Sequence, residues 1–104
     1  MIRQISAFAA YCIDAPGADE PRREHLKAHL AYVEQVMEKL LIGGPLKDEA
    51  GETIGSLIVF AVETEVEARQ HIENDPYHRA GVWRDVRIAR FLPVAGTLVG
   101  GRNW

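Results

Sequence analysis

Residues 54 to 62 read Ile-Gly-Ser-Leu-Ile-Val-Phe-Ala-Val, apolar at odd and even positions alike. Successive side chains of a strand point to opposite faces of its sheet, so a strand built from this run needs cover on both sides. Residues 2 to 13 repeat the feature. Ile5, Ala7, Ala9 and Tyr11 would face one way, and Ser6, Phe8, Ala10 and Cys12 the other. A chain of 104 residues has enough surface to bury for one core, and few layers with which to cover it.

Two helices can supply one covering layer. The first is predicted from Pro21 to Leu40, after a loop at Asp14-Ala15-Pro16-Gly17-Ala18-Asp19. Asp19 or Glu20 would precede Pro21, which suits the first helical position because proline lacks only an N–H that is unpaired there. Leu26, Leu30, Val33, Met37 and Leu40 recur at spacings of three and four and form one apolar stripe. The second helix is expected from Thr64 to Asn74. Thr64 and Glu67 have capping-box spacing, and Val66, Arg69 and Ile72 give it a short face of moderate polarity. Between the helices, Leu41-Ile42 leads into a short strand over Gly43-Gly44-Pro45-Leu46, and Lys47 to Glu52 forms a turn before the strand at Ile54 to Val62. Trp83 to Leu92 alternates apolar and mixed positions, as an edge strand does.

The order strand, helix, strand, strand, helix, strand predicts an α+β ferredoxin-like sandwich (βαββαβ), with an antiparallel sheet and both helices on one face. The other sheet face then lacks a layer. A homodimer packed sheet against sheet is the expected cover, since it would remove a large exposed apolar patch. Residues 1 to 104 read as a single domain. The tail at 93 to 104, with three glycines and Trp104, is left as an extra strand, a dimer contact or a loose end.

The formal net charge of −3 argues against a nucleic-acid partner. Cys12, the one cysteine, sits in an apolar run and reads as a small core residue. The longest purely apolar run, Leu57 to Val62, is far too short to span a bilayer. No signal peptide is expected, so cytoplasm is the default location. No phosphate-cradling loop, dinucleotide fingerprint or Ser-His-Asp series is present.

The densest polar chemistry lies in Asn74-Asp75-Pro76-Tyr77-His78-Arg79-Ala80-Gly81-Val82. Asp before Pro reads first as a helix start, with Asp75 as N-cap and Tyr77 to Ala80 as a single turn. A carboxylate has two oxygens, so Asp75 can cap that turn and also hold His29, which lies beside the apolar stripe of the first helix. An imidazole can take or give a proton near neutral pH, and a carboxylate on one ring nitrogen fixes its tautomer. The plainer alternative is a half-buried His29 bonded to backbone or water. Tyr77 is open between walling a pocket and being a partly buried aromatic with its hydroxyl at the surface. Gly44 and Pro45 can let backbone approach a ligand or simply end a strand. Ser56 can leave room for a pocket or simply pack. His25 and His29 share a helix face, but no third ligand stands out, and no metal or cofactor is expected. Arg79, Arg84, Arg87 and Arg90 read as a solvated edge-strand face.

Taken in order, Arg22…His29-Leu30, Gly44-Pro45-Leu46, Gly55-Ser56 and Asp75-Pro76-Tyr77…Ala80-Gly81-Val82 resemble the YciI-like (YCII-related) family of the dimeric α+β barrel superfamily, over about residues 3 to 92. The resemblance implies a ferredoxin-like fold, a dimer, and a site centred on a histidine and an aspartate, which the motifs place at His29 and Asp75. Activities in that superfamily include isomerisation of a muconolactone and dehydrochlorination of a chlorohydroxyhydroquinone. Gly43 stands where the family often has alanine, and the glycine-rich tail has no clear counterpart.

Two functional readings follow. In one, the chain is a small cofactor-independent enzyme, an isomerase or lyase, that acts on a small aromatic or enol-type substrate through a His29/Asp75 acid–base pair. Gly44, Pro45, Ser56 and Tyr77 then line the substrate site. In the other, it is a non-catalytic dimeric module that binds a small molecule.

Overall fold

The computed structural model describes residues 5–102. Strand β1 (Ala7–Asp14) is followed by helix α1 (Asp19–Gln35), strands β2 (Leu40–Lys47) and β3 (Thr53–Phe60), helix α2 (Glu65–Glu73), the single-turn helix α3 (Pro76–Arg79) and strand β4 (Trp83–Phe91). The four long strands form one sheet in the order β2-β3-β1-β4, with every neighbouring pair antiparallel. This is the expected ferredoxin-like topology. The two apolar runs that need cover on both sides, β1 and β3, take the two central positions.

The register explains which residues go inside. Ala10 lies opposite Ile58, Cys12 opposite Ser56, and Phe8 opposite Phe60. These side chains share one face, and apart from the buried but polar Ser56 they join Ala68, Ile72, Tyr77, Val82 and Trp83 in the buried core. Gly55 keeps the two strands close, because a Cβ there would run into the carbonyl oxygen of Cys12. On the opposite face Tyr11 stands across from Leu57, and they remain 45% and 39% exposed. Ile42, on β2, is likewise exposed on that side.

Helix boundaries differ from the sequence reading in instructive ways. Helix α1 starts at Asp19, with Ala18 as a cap that offers no side-chain bond. Asp19 and Glu20 fill the first turn, where acidic groups complement the helix dipole, and Pro21 is still among the positions whose N–H would be unpaired. The helix ends at Gln35 rather than Leu40. Met37–Lys39 tightens into a 3-10 turn, the Lys39 carbonyl accepts from the amide of Ala61 at 2.7 Å, and Leu40 pairs with Phe60 in the sheet. Sheet pairing therefore overrides a helical spacing that continued past the end.

Helix α2 is capped by Thr64, whose hydroxyl accepts from the amide of Glu67 at 3.2 Å. Of the expected face of Val66, Arg69 and Ile72 only Ile72 is buried; its buried neighbour one turn earlier is Ala68, and Val66 is exposed. Alanine is too small to register in an apolar count, yet it lets the helix sit close on the sheet.

The tail forms a small hairpin of its own. Strand β5 (Ala95–Gly96) pairs with β6 (Gly101–Arg102) around a 3-10 turn at Thr97–Val99. Its Leu98 is 81% exposed. Trp104 and residues 2–4 of the expected first strand lie outside the described residues. Among those described, no helix is long and apolar enough to cross a membrane.

Candidate active site

Helix α1 has no buried residue, although its apolar stripe was expected to face a core. The stripe instead roofs a cavity of about 580 Å³, whose floor is β2 and β3. Leu26, Leu30 and Val33 come from the helix, Met37 from the 3-10 turn after it, and Ser56, Ile58 and Phe60 from the inner face of the sheet. Cavities of about 300–1,000 Å³, mostly apolar with a few placed polar groups, are where small ligands bind.

His29 and Asp75 meet at one side of this cavity. The imidazole Nδ1 lies 2.8 Å from Oδ1 and 3.0 Å from Oδ2 of Asp75. Asp75 is 3% exposed and caps α3, where its Oδ1 accepts the amide of Tyr77 at 2.8 Å. Capping and pairing thus coexist on one carboxylate. An ionised carboxylate can only accept, so Nδ1 carries the proton and donates it. The lone pair then sits on Nε2, which has no hydrogen-bond partner among the described residues.

The turn that carries Asp75 also fixes the ring. Tyr77 stacks on His29 with centroids 3.9 Å apart and planes within 5°. Its hydroxyl is not at the surface; it donates to the carbonyl of Arg22 at 3.2 Å. Burial above all pushes the Tyr77 phenol pKa above its ordinary value of 10.0. Gly81, at φ +76, ends the turn in the left-handed region that favours glycine, and the amide of Val82 bonds back to the carbonyl of Tyr77 at 3.0 Å.

Arg22 is the residue whose role sequence reasoning missed, though it stood in the motif. Its Nε and Nη2 grip Asp14 at 2.8 Å each, and Nη2 also reaches the Gly55 carbonyl at 3.2 Å and Ser56 Oγ at 3.1 Å. Burial works against the guanidinium charge, but the hydrogen bond and charge of Asp14 hold its pKa above the usual arginine value. The guanidinium also lies over Tyr77, 5.2 Å from the ring centre. Asp14 had been read as loop; it closes β1 on the inner face. An acid and an arginine eight residues apart across a Pro-Gly loop were the available signal.

Gly44, Pro45 and Ser56 all line the cavity, as do His29, Asp75 and Tyr77. His25 does not; its Nε2 lies 3.9 Å from Glu24 on the outer side of α1. Arg79 bonds Asn74, Arg87 bonds Asp85, and Arg90 lies over Phe8, all away from the cavity.

A YCII-related domain model matches residues 6–92. The chain belongs to the YCII-related family. Among solved structures, this YCII-related chain is similar to the 5-chloro-2-hydroxyhydroquinone dehydrochlorinase of Burkholderia phenoliruptrix AC1100, solved with 2,5-dihydroxybenzoquinone. The two are 29% identical with a TM-score of 0.75, and the match covers 88% of this chain and 96% of that one. A Pseudomonas aeruginosa protein (15% identity, TM-score 0.53, 91% and 99% covered) and a Nitrosomonas europaea protein of unknown function (16%, 0.52, 89% and 92%) share the fold. No curated protein matches the YCII-related chain significantly.

Proposed function

We propose that this YCII-related protein is a small enzyme that moves protons on a ring or enol-type substrate, with His29 as the acid–base group. The observation that carries this reading is the placement of His29 between a buried carboxylate and a cavity. Asp75 holds Nδ1–H, so the Nε2 lone pair faces bound substrate. Nε2 takes a proton from carbon next to a carbonyl, and the bonding pair moves into the enolate. In an isomerisation His29 returns the proton at another carbon. In an elimination the pair forms a new double bond, chloride leaves from the adjacent carbon, and His29 loses its proton to solvent. The likeness to a dehydrochlorinase supports the second course. Ser56, Tyr77, Gly44 and Pro45 shape the site around the substrate.

The exposed outer face of the sheet supports a homodimer, since Tyr11, Leu57 and Ile42 would leave water if a second sheet packed there.

Chloride release from 5-chloro-2-hydroxyhydroquinone tests the reading. Wild-type protein should turn it over, and His29→Ala should lose on the order of 100-fold or more while still folded. Binding of 2,5-dihydroxybenzoquinone without any chloride release would instead favour the module that binds and does not convert.

A further inference from the structure

The cavity is much larger than a single ring requires. About 150 Å³ suffices for benzene, whereas this one measures about 580 Å³. Its two walls also change character in the same direction. On the sheet, Pro45 stands opposite Ser56, then Gly43 opposite Ile58, then Leu40 opposite Phe60. On the helix side, Arg22, His29 and Val33 of α1 are followed by Val36 and Met37 just past its end. Arg22 bonds Ser56, which ties the polar end of one wall to the polar end of the other. Among the described residues, none that lines the far end is charged.

Three features keep that far end open. Helix α1 and the 3-10 turn after it stand off the sheet, so Leu30 and Met37 stay 51% and 53% exposed although both belong to the apolar stripe. Gly43 raises no side chain from the floor, and a Cβ there would sit in ordinary contact with Ile58 at 3.7 Å. Met37 is unbranched and adapts to irregular apolar shapes.

We infer that the ligand of this site is an amphiphile: a hydroxylated ring with an unbranched apolar tail. The inference rests on the reading of His29 as the polar, acid–base end. The ring hydroxyl donates to His29 Nε2. The tail runs along Leu30, Val33 and Met37 over Gly43 and Leu40. From His29 along α1 and into the 3-10 turn at Met37 the chain advances about 12 Å. The ring with its hydroxyl takes roughly 4 Å of this, and the rest takes about six carbons, because C–C bonds of about 1.5 Å set in a zigzag advance roughly 1.3 Å each.

Calorimetric titration with phenol and 4-ethyl-, 4-butyl-, 4-hexyl- and 4-octylphenol tests this. Affinity should rise about fourfold per methylene, from about 0.8 kcal/mol each, and level off near the hexyl chain. Val33→Trp and Gly43→Val each fill the gallery from a different element. Either should flatten the rise and leave phenol binding unchanged. An affinity that does not grow with chain length overturns the inference. So does a rise that persists in both variants, which would place the tail elsewhere, such as the outer sheet face. The head is separated by His29→Ala. If His29→Ala weakens every phenol equally while chain length adds nothing, the tail is wrong and the His29 reading stands. If the rise survives and His29→Ala changes no affinity, the assignment of the head to His29 fails and the inference fails with it.

Discussion

Tyr77 lies flat against His29, with ring centroids 3.9 Å apart, and its backbone amide is bonded to the carboxylate that holds the same imidazole. One short turn therefore sets both the rotation of the His29 ring and its tautomer. The turn is itself rigid: Asp75 caps it, Pro76 occupies its first position, and Gly81 closes it. A loop this constrained places a carboxylate as firmly as a long helix would.

Asp75→Asn should preserve the fold and shift the tautomer balance of His29. The amide oxygen at the Oδ1 position can still accept from the Tyr77 amide and lies 2.8 Å from His29 Nδ1, while the side-chain NH2 takes the Oδ2 position, 3.0 Å from the same nitrogen. The carboxylate charge that favours Nδ1–H is gone and an NH2 group donates only, so the tautomer protonated at Nε2 gains population. Nitrogen NMR of the His29 ring reads this directly. Wild type should show protonated Nδ1 in the neutral ring and the variant a larger share of protonated Nε2. An unchanged tautomer would mean that Asp75 does not control the ring.

The Arg22–Asp14 pair should behave as a buried unit. The two side chains are 14% and 7% exposed. Arg22→Ala leaves Asp14 buried without its partner, a loss of about 3 kcal/mol or more. Adding Asp14→Ala should recover part of that loss, because the uncompensated charge is then gone. Urea unfolding of the two single variants and the double variant measures the coupling. Strictly additive losses would show that the pair contributes nothing as a pair.

Much of this arrangement could be read from residue order, and the reasons for the remainder are physical. The double-faced apolar runs identified β1 and β3 as strands that need cover on both sides, and Asp-Pro identified the α3 start. The end of α1 was misplaced because Leu40 continues a helical spacing while belonging to the sheet. The apolar stripe of α1 was recognised, but periodicity reports only that a face avoids water, not whether it meets a core or a cavity. The Arg22–Asp14 contact spans a loop whose path no local pattern specifies. The small hairpin at Ala95 to Arg102 was left open, since short strands rich in glycine carry little alternation.

Tyr77→Phe and Tyr77→Leu should separate two contributions. Removing the hydroxyl deletes one bond to the Arg22 carbonyl at 3.2 Å, worth about 1 kcal/mol. Tyr77→Leu also removes the stack on His29 and a 3% exposed ring from the core, so its cost should reach about 3 kcal/mol. Thermal unfolding of both variants gives the comparison, and equal costs would show that the ring itself adds little.

The dimer proposed from the outer sheet face should depend on Tyr11 and Leu57, which stand opposite each other there. Leu57→Arg would put a charge in the middle of a sheet-to-sheet contact. Sedimentation should then show a dimer for wild type and a monomer for the variant, with the far-ultraviolet circular dichroism unchanged. A wild-type monomer at high micromolar concentration would overturn the proposal.

Cys12 should be silent toward thiol reagents in the native protein and should make stability fall in alkali. The side chain is fully buried, and burial first, then the charges of Asp75 and Asp14, push its pKa from 9.0 to about 12. A thiolate-directed reagent at pH 8 should therefore label Cys12 only after urea is added. From pH 9 towards pH 12 the unfolded chain has lost the thiol proton and the native chain keeps it. Unfolding then becomes easier by about 1.4 kcal/mol per pH unit. The Tyr32 and Tyr77 phenols, raised from 10.0 chiefly by burial, act in the same direction at slightly higher pH. In Cys12→Ala the protein should be less stable at pH 7, from the lost packing, yet its stability should fall less steeply between pH 9 and pH 10. Rapid labelling of native protein at pH 8, or identical slopes in the two proteins, would show that the thiol is not held in this way.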